Sequence, residues 1–475
     1  MHNSLDIWRH VDTKSGQMVD LADRVWDTPE ILYNEVRSSS AHIDELRRQG
    51  FRIQTGVAGI PTAIIGEAGD EGPIIAILGE FDALPGLSQE AGIAEPRPVP
   101  DHHGLGHGCG HNLLGAGALL AATAVKDWLG ANGLKGRVRY YGCPAEEGGA
   151  AKTFMVREGL FDDVDIAISW HPKSFLEVAP AQSLANIRID FSFAGRAAHA
   201  ASAPHLGRSA LDAAELMNIG VNYLREHMEG AARIHYAYLN AGGPAPNVVQ
   251  SATKLRYVIR HSSTAAMRLL VERVRRVAEG AAHMTETSVK VEIVSALSNL
   301  LGNEPLEQEM DAQLQLLGPP RFEESDRAYA RQIQATLTTE DIRSAYLAVG
   351  LPFAAGKELC DVIVPRGTRR TMMLESTDVG DVSWVVPLVQ LHGATCAVGT
   401  PLHSWQMTAQ GKSGHAHKGM IHAAKVMAAT AVAALQKPEL IEQAKRDLAR
   451  RLGGEPYDCP IPPDIKPPLD MAKAV

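Results

Sequence analysis

Hydrophobic and polar positions change rhythm along this chain, and the changes mark its parts. Leu5–Trp26 reads as a helix. Pro73-Ile-Ile-Ala-Ile-Leu-Gly79 is an unbroken apolar run ending in glycine, the pattern of a buried strand. The Ala- and Leu-rich stretch Asn112–Leu129 stops at Gly130 and predicts a buried helix. Arg137–Gly142 and Val164–Trp170 predict further strands. This alternation implies an α/β fold, a central and mostly parallel sheet with helices on both faces.

From Ala185 the texture differs. Ala185–Phe193 alternates polar and apolar residues, the mark of a strand with one wet face. Ser209 is an N-cap with Asp212 three residues on, and the helix it opens carries Leu211, Ala214, Met217, Val221 and Leu224 on one face. A strand at Lys254–Ile259, a helix near Ala265–Ala282 and a strand at Val289–Val294 complete an α+β, ferredoxin-like β-α-β-β-α-β unit. The expected organisation is one domain from 1–186 and 298–475, with 187–297 inserted into it. A strand at Ala394–Val398 and a helix from about His417 to Leu435 close the first domain. Residues 303–345 are charged and weakly patterned and take no assignment. The Pro-rich end, 456–468, fits a docked tail or a disordered one.

Composition narrows the function classes. A chain of 475 residues is too long for one ordinary domain. Its formal charge of −9 argues against a nucleic-acid or anionic-membrane surface. No basic stretch precedes an apolar run near the start, as a secretory signal requires. No apolar run approaches 18 residues, so no membrane span is expected. Cysteines stand at 109, 143, 360, 396 and 459, an odd set that does not suggest a disulfide framework. A cytoplasmic location is the expectation, with Cys109 free to act as a thiolate.

Ligand-type residues recur where the predicted strands end. Gly106-His-Gly-Cys-Gly-His-Asn112 opens the Ala-rich helix. In an extended segment the Cys109 and His111 side chains project to one side and reach one metal, and a helix N-terminus lowers the thiol pKa. A glycine-rich turn with incidental histidines has the same composition. Gly142-Cys-Pro-Ala-Glu-Glu-Gly-Gly149 follows a strand directly. Its adjacent carboxylates fit either a solvated acidic loop or a metal ligand beside a proton acceptor. His171 and His403 each follow a strand, where a lone histidine is ordinarily structural. The recurrence is the signal, because the C-terminal edge of such a sheet is where ligands bind.

Cys109-Gly-His111, Pro144-Ala-Glu-Glu-Gly-Gly149, Trp170-His-Pro172 and Phe193-Ala-Gly-Arg-Ala-Ala-His199 occur in an order and spacing similar to the aminoacylase/carboxypeptidase-type dinuclear metallopeptidases. The resemblance is to their auxin-conjugate- and hippurate-hydrolase branch. It implies two divalent metal ions, zinc or manganese, held by Cys109, His111, Glu147, His171 and His403, with Cys109 shared. It implies Glu146 as general base. It points to His199, Asn247 and Arg260 as binding the substrate carboxylate and the oxyanion, with His199 acting across a dimer interface. The inserted module would then be a lid and dimerisation domain. The wider family begins its metal site with His-x-Asp, whereas this chain has Leu78-Gly79-Glu80; that histidine ligand is absent and the resemblance implies that His111 substitutes for it, leaving Glu80 and Asp82 to orient ligands.

The implied reaction is metal-dependent hydrolysis of a small N-acyl amino acid such as p-aminobenzoyl-glutamate. Three alternatives stand beside it: another conjugate such as indoleacetyl-aspartate, hydrolysis of an aryl amine, and a non-catalytic metal-binding chain within a heteromer. The implied partner is a second copy or a homologous chain. A purely structural chain needs no base beside a metal ligand, and Glu146 favours the catalytic reading.

Overall fold

Two sheets divide the molecule between them. The computed structural model describes residues 4–368 and 374–474. In chain order the strands are β1 (Arg52–Thr55), β2 (Ile64–Ala68), β3 (Ile74–Glu80), the short pair β4 (Leu84–Pro85) and β5 (Leu105–Gly106), β6 (Arg137–Cys143), β7 (Ile166–Lys173), β8 (Glu177–Val178), β9 (Ala185–Ala194), β10 (Arg233–Asn240), β11 (Ala252–His261), β12 (Ser288–Leu297) and β13 (Leu388–Ala394). The larger sheet runs β1-β2-β6-β3-β7-β13-β8. Its middle, β6-β3-β7-β13, is parallel, and β1, β2 and β8 add antiparallel edges.

The central strand shows why an unbroken apolar run is needed there. Every residue of β3 is buried. Ile75 and Ile77 enter one core with the helices Ser4–Trp26, His111–Asn132 and Gly414–Gln436. Ile74, Ala76 and Leu78 enter the other, with Phe154, Met155, Val379 and Val382. The helix His111–Asn132 is in fact long and apolar enough to cross a membrane, contrary to the expectation that no such run exists. Here 83% of its most apolar window is buried inside the fold. It also runs past Gly130, which sits exposed in its last turn, and ends at Gly133, which supplies the left-handed cap at φ 59°.

The second sheet is antiparallel, β10-β11-β9-β12. Helices Ala210–Leu224 and Thr264–Met284 cover one face, where Ile187, Ile189, Phe191, Leu255 and Ile259 are buried. Ser209 caps the first of them by accepting from Asp212 N at 3.0 Å. The α/β class with an α+β ferredoxin-like unit, read from the pattern, is the fold observed. β10 escaped that reading, because it is an edge strand exposed over most of its length.

Three other segments depart from expectation. β13 is Leu388–Ala394, not Ala394–Val398: its residues pair with Ala167–Lys173 of β7, and Thr395–Val398 run on, buried, beyond the sheet. Burial alone gave 394–398 the look of a strand. The region 303–345 folds into helices Glu304–Leu317, Glu324–Gln334 and Thr339–Val349, set by caps at Asn303, Glu323 and Thr338. The Pro-rich end is docked. Arg157 donates to the Pro462 and Ile465 carbonyls, Tyr457 donates to Asp381 at 2.7 Å, and Ile461 is buried.

Candidate metal centre

The loops leaving the C-terminal ends of the parallel strands converge. β3 ends at Glu80, β6 leads to Glu146 and Glu147, β7 carries His171, and the chain beyond β13 brings His403. Cys109 and His111 arrive on the helix His111–Asn132, but not along an extended segment. Gly110 takes φ 78°, and His111 is already helical. A Cβ at Gly110 would lie 2.9 Å from Met407 and Pro172 side chains, so the turn needs glycine for space as well as for φ.

Donor atoms of Cys109, His111 and His171 lie within 4.8 Å of one another, and so do those of Cys109, Glu147 and His403. Two triplets therefore meet at one sulfur. Cys109 Sγ is 3.4 Å from His171 Nε2, whose ring is oriented by Nδ1 against the Pro172 carbonyl at 2.8 Å. Asp82 binds His111 Nδ1 through one oxygen at 2.8 Å and accepts the Glu147 N–H through the other at 2.9 Å. His403 adopts φ 56°, unusual for a non-glycine residue, and its N–H bonds to the Gly108 carbonyl at 2.8 Å. Its Nε2 is 3.2 Å from Glu147 Oε1.

The electrostatics of this cluster call for a cation. Burial, then the charges of Glu80, Glu147 and Asp378, push the Glu146 carboxyl well above its usual range. Burial and the Glu147 charge push the Cys109 thiol up too, so the helix N-terminus does not make it a thiolate unaided. Burial holds His171 well below the usual imidazole value, in the neutral form that binds metals. His111 Nε2 and Glu147 Oε1 are buried without a well-formed hydrogen bond. Soft sulfur, neutral imidazole and carboxylate around orphaned donor atoms make a set that fits divalent metal ions.

Several participants carry no sequence motif. Lys152 is fully buried, with Nζ 2.6 Å from Glu80 Oε1 and 2.6 Å from Asp378 Oδ1. The other Glu80 oxygen lies 3.3 Å from His111 Nε2. Glu35 accepts from Ala145 N at 3.2 Å and from Tyr33 N at 3.0 Å, and so pins the loop that carries Glu146 at the left-handed residue Ala145. Burial and then the Asp82 charge push the Glu35 carboxyl up to about 8. These contacts join residues far apart in the chain, and no local spacing marks them.

A cavity of about 360 Å³ is lined by Cys109, Glu146, Glu147, His171 and His403 of this cluster and by Arg188 and Arg260 of the second sheet. Arg260 donates to Ser376 Oγ at 3.2 Å, and its Nε is buried without a partner. His199 and Asn247 are not brought here within the chain. Both are exposed and neither lines the cavity. They adjoin each other, Ala200 N donating to the Asn247 carbonyl at 2.9 Å. His199 Nδ1 accepts from Ala201 N and Ser202 N, each at 3.2 Å, so the neutral ring carries its proton on Nε2.

Comparison with known proteins gives the family and the fold. Residues 76–297 match the model of peptidase family M20/M25/M40. The chain is 44% identical to one of the subunits of p-aminobenzoyl-glutamate hydrolase from Escherichia coli, over 97% of this chain and 99% of that one. It is similar in structure to an aminobenzoyl-glutamate utilization protein from Klebsiella pneumoniae, with a TM-score of 0.57 and 18% identity over 90% of this chain and 97% of that one. A dinuclear metal-binding peptidase of the M20 family from Bacillus subtilis gives a TM-score of 0.56 and 16% identity over 90% and 99%.

Proposed function

This chain belongs to peptidase family M20/M25/M40, and from that premise we propose that it cleaves the amide of p-aminobenzoyl-glutamate or a close aryl-acyl amino acid. It is a metal-dependent amidohydrolase. The observation that carries the site reading is Glu146, a half-buried carboxylate that lines the cavity together with Cys109, Glu147, His171 and His403, and the 44% identity to the p-aminobenzoyl-glutamate hydrolase subunit supports the substrate.

In this reading Cys109, His111 and His171 would hold one divalent ion, and Cys109, Glu147 and His403 a second. Thiolate and imidazole suit zinc, and carboxylate leaves manganese open. When bound, the metal pair supplies Lewis acidity, acidifying water and polarising the scissile carbonyl. Glu146 takes the proton from the attacking water and returns it to the departing amine nitrogen. Its raised proton affinity favours the first half, taking the proton and holding it until the amine departs. Asp82 holds His111 and the Glu147 backbone in register, and Glu80 is anchored by Lys152. Arg260 binds the substrate α-carboxylate.

His199 and Asn247 then serve a neighbouring chain, donating to the oxyanion in its cavity. Their exposure favours this. So does the Escherichia coli relative, which is one subunit of a hydrolase and so supports pairing with a homologous chain or a copy. All five cysteines are free, which suits a cytoplasmic setting. A purely structural role would leave Glu146 without a task.

The test is release of p-aminobenzoate from p-aminobenzoyl-glutamate by metal-reconstituted protein, beside a panel of N-acyl glutamates and aspartates including indoleacetyl-aspartate. Metal-dependent release, abolished by chelation, is expected. Protein with full metal content that hydrolyses no member of the panel overturns the reading.

A further inference from the structure

The polar face of the second sheet carries more cations than it has carboxylates to pair them. In register, Asn186 stands opposite Arg260, Arg188 opposite Val258, and Asp190 opposite Arg256, so these side chains share one face. Asp190 takes Arg256 at 2.7 Å and Lys254 at 2.9 Å. Arg188 and Arg260 lie nearer the metal cluster, and neither has a carboxylate within ion-pair distance among the described residues. Arg188 Nη1 donates to the Gly148 carbonyl at 3.1 Å and Arg260 to Ser376 Oγ at 3.2 Å, so most of their N–H groups are uncommitted. The Arg260 Nε–H is buried and unpartnered.

Such an arrangement is unfavourable by itself. Burial lowers the pKa of both guanidiniums, and for Arg188 the nearby Arg256 and Arg260 charges lower it further. Two cations kept half out of water and side by side need anions. Both line the cavity that holds Glu146 and Glu147. One carboxylate, the α-carboxylate of any acyl amino acid, would leave a positive charge uncompensated. Two carboxylates on one ligand would neutralise the pair.

We infer that Arg188 and Arg260 form a subsite for a dicarboxylate, Arg260 taking the α-carboxylate and Arg188 the side-chain carboxylate, so that acyl derivatives of acidic amino acids are selected over neutral ones. This rests on the hydrolase reading for the place of Arg260 and adds Arg188 as the residue that reads the side chain. Asn186, opposite Arg260 and also in the cavity wall, sits where it can donate to the same ligand.

The experiment compares p-aminobenzoyl-glutamate with p-aminobenzoyl-glutamine, equal in shape but differing in that one charge. The wild-type protein is expected to favour the glutamate compound in kcat/KM by about 10- to 100-fold, the range for one charge-assisted hydrogen-bonding pair. Arg188→Gln is expected to bring the ratio toward one, and Arg188→Lys to keep part of it. Calorimetry with free glutamate and free glutamine reads the same preference without turnover. A glutamate preference in binding that Arg188→Gln removes supports the subsite even where no amide is cleaved, and then the hydrolase reading alone has failed. A wild-type protein that treats the two compounds alike overturns the inference. So does an Arg188→Gln protein that loses both activities equally along with its metal, since the arginine would then only hold Gly148.

Discussion

Glu146 and Glu147 are neighbours with different surroundings, and that difference sets their tasks. The Glu147 N–H is held by Asp82, and its carboxylate lies beside His403 within reach of Cys109. Glu146 is placed instead among Glu80, His111 and Asp378, where desolvation and like charge raise its affinity for a proton. Replacing Glu146 with Gln preserves volume and removes the proton acceptor. Turnover is expected to fall by about 10² or more, the usual range for a general base, with metal content intact. Glu147→Gln is expected to lose metal as well as activity, because amide oxygen is a weaker ligand than carboxylate. Steady-state rates and elemental analysis on the same preparations separate the two, and a wild-type rate in Glu146→Gln would place the base elsewhere.

At the scale of elements, strand ends position the donors and one glycine joins them to a helix. Gly110 sets the turn from Cys109 into His111–Asn132 with a left-handed φ and no room for a Cβ. Gly110→Ala is expected to cost about 1–3 kcal/mol, from left-handed strain plus the contact with Met407 and Pro172. Denaturant melts read that cost, and metal titration should weaken too, because Cys109 and His111 lose their relative placement. An alanine protein equal to wild type in both would mean that the turn relaxes freely. The same elements show what the sequence makes legible. An unbroken apolar run found β3, alternation found β9, and Ser209 with Asp212 found a helix start, because each is a local rule. β13 was displaced because 394–398 is as apolar as a strand while the pairing partner lies more than two hundred residues away in β7. The helices in 303–345 are short and each buries only a few side chains, such as Leu306, Met310 and Leu314 in the first, so their apolar stripes are thin and their caps carry more of the signal. Lys152 and Arg188 were invisible, since a buried cation is defined by what surrounds it in space.

Whole-molecule organisation decides whether a single chain is a complete enzyme. His199 and Asn247 lie together on the exposed side of the second sheet's domain, outside the cavity their chemistry would serve. β10 of the same sheet is an open edge, with Tyr236, Tyr238 and Leu239 each at least 38% exposed, as suits a surface covered by another chain. If His199 completes a partner's site, His199→Ala should lower activity while metal content stays. The stronger test mixes two defects. In a dimer of one His199→Ala chain and one Glu146→Gln chain, the site with its own Glu146 borrows an intact His199 from its partner, and the other site has neither. Two variants that are each inactive should therefore regain a fraction of wild-type turnover once their chains exchange, for example through mild denaturant and refolding. The same mixture without exchange is the control. If verified mixed dimers recover nothing, His199 acts in its own chain or not at all, and the exposed edge of β10 must be explained without the active site.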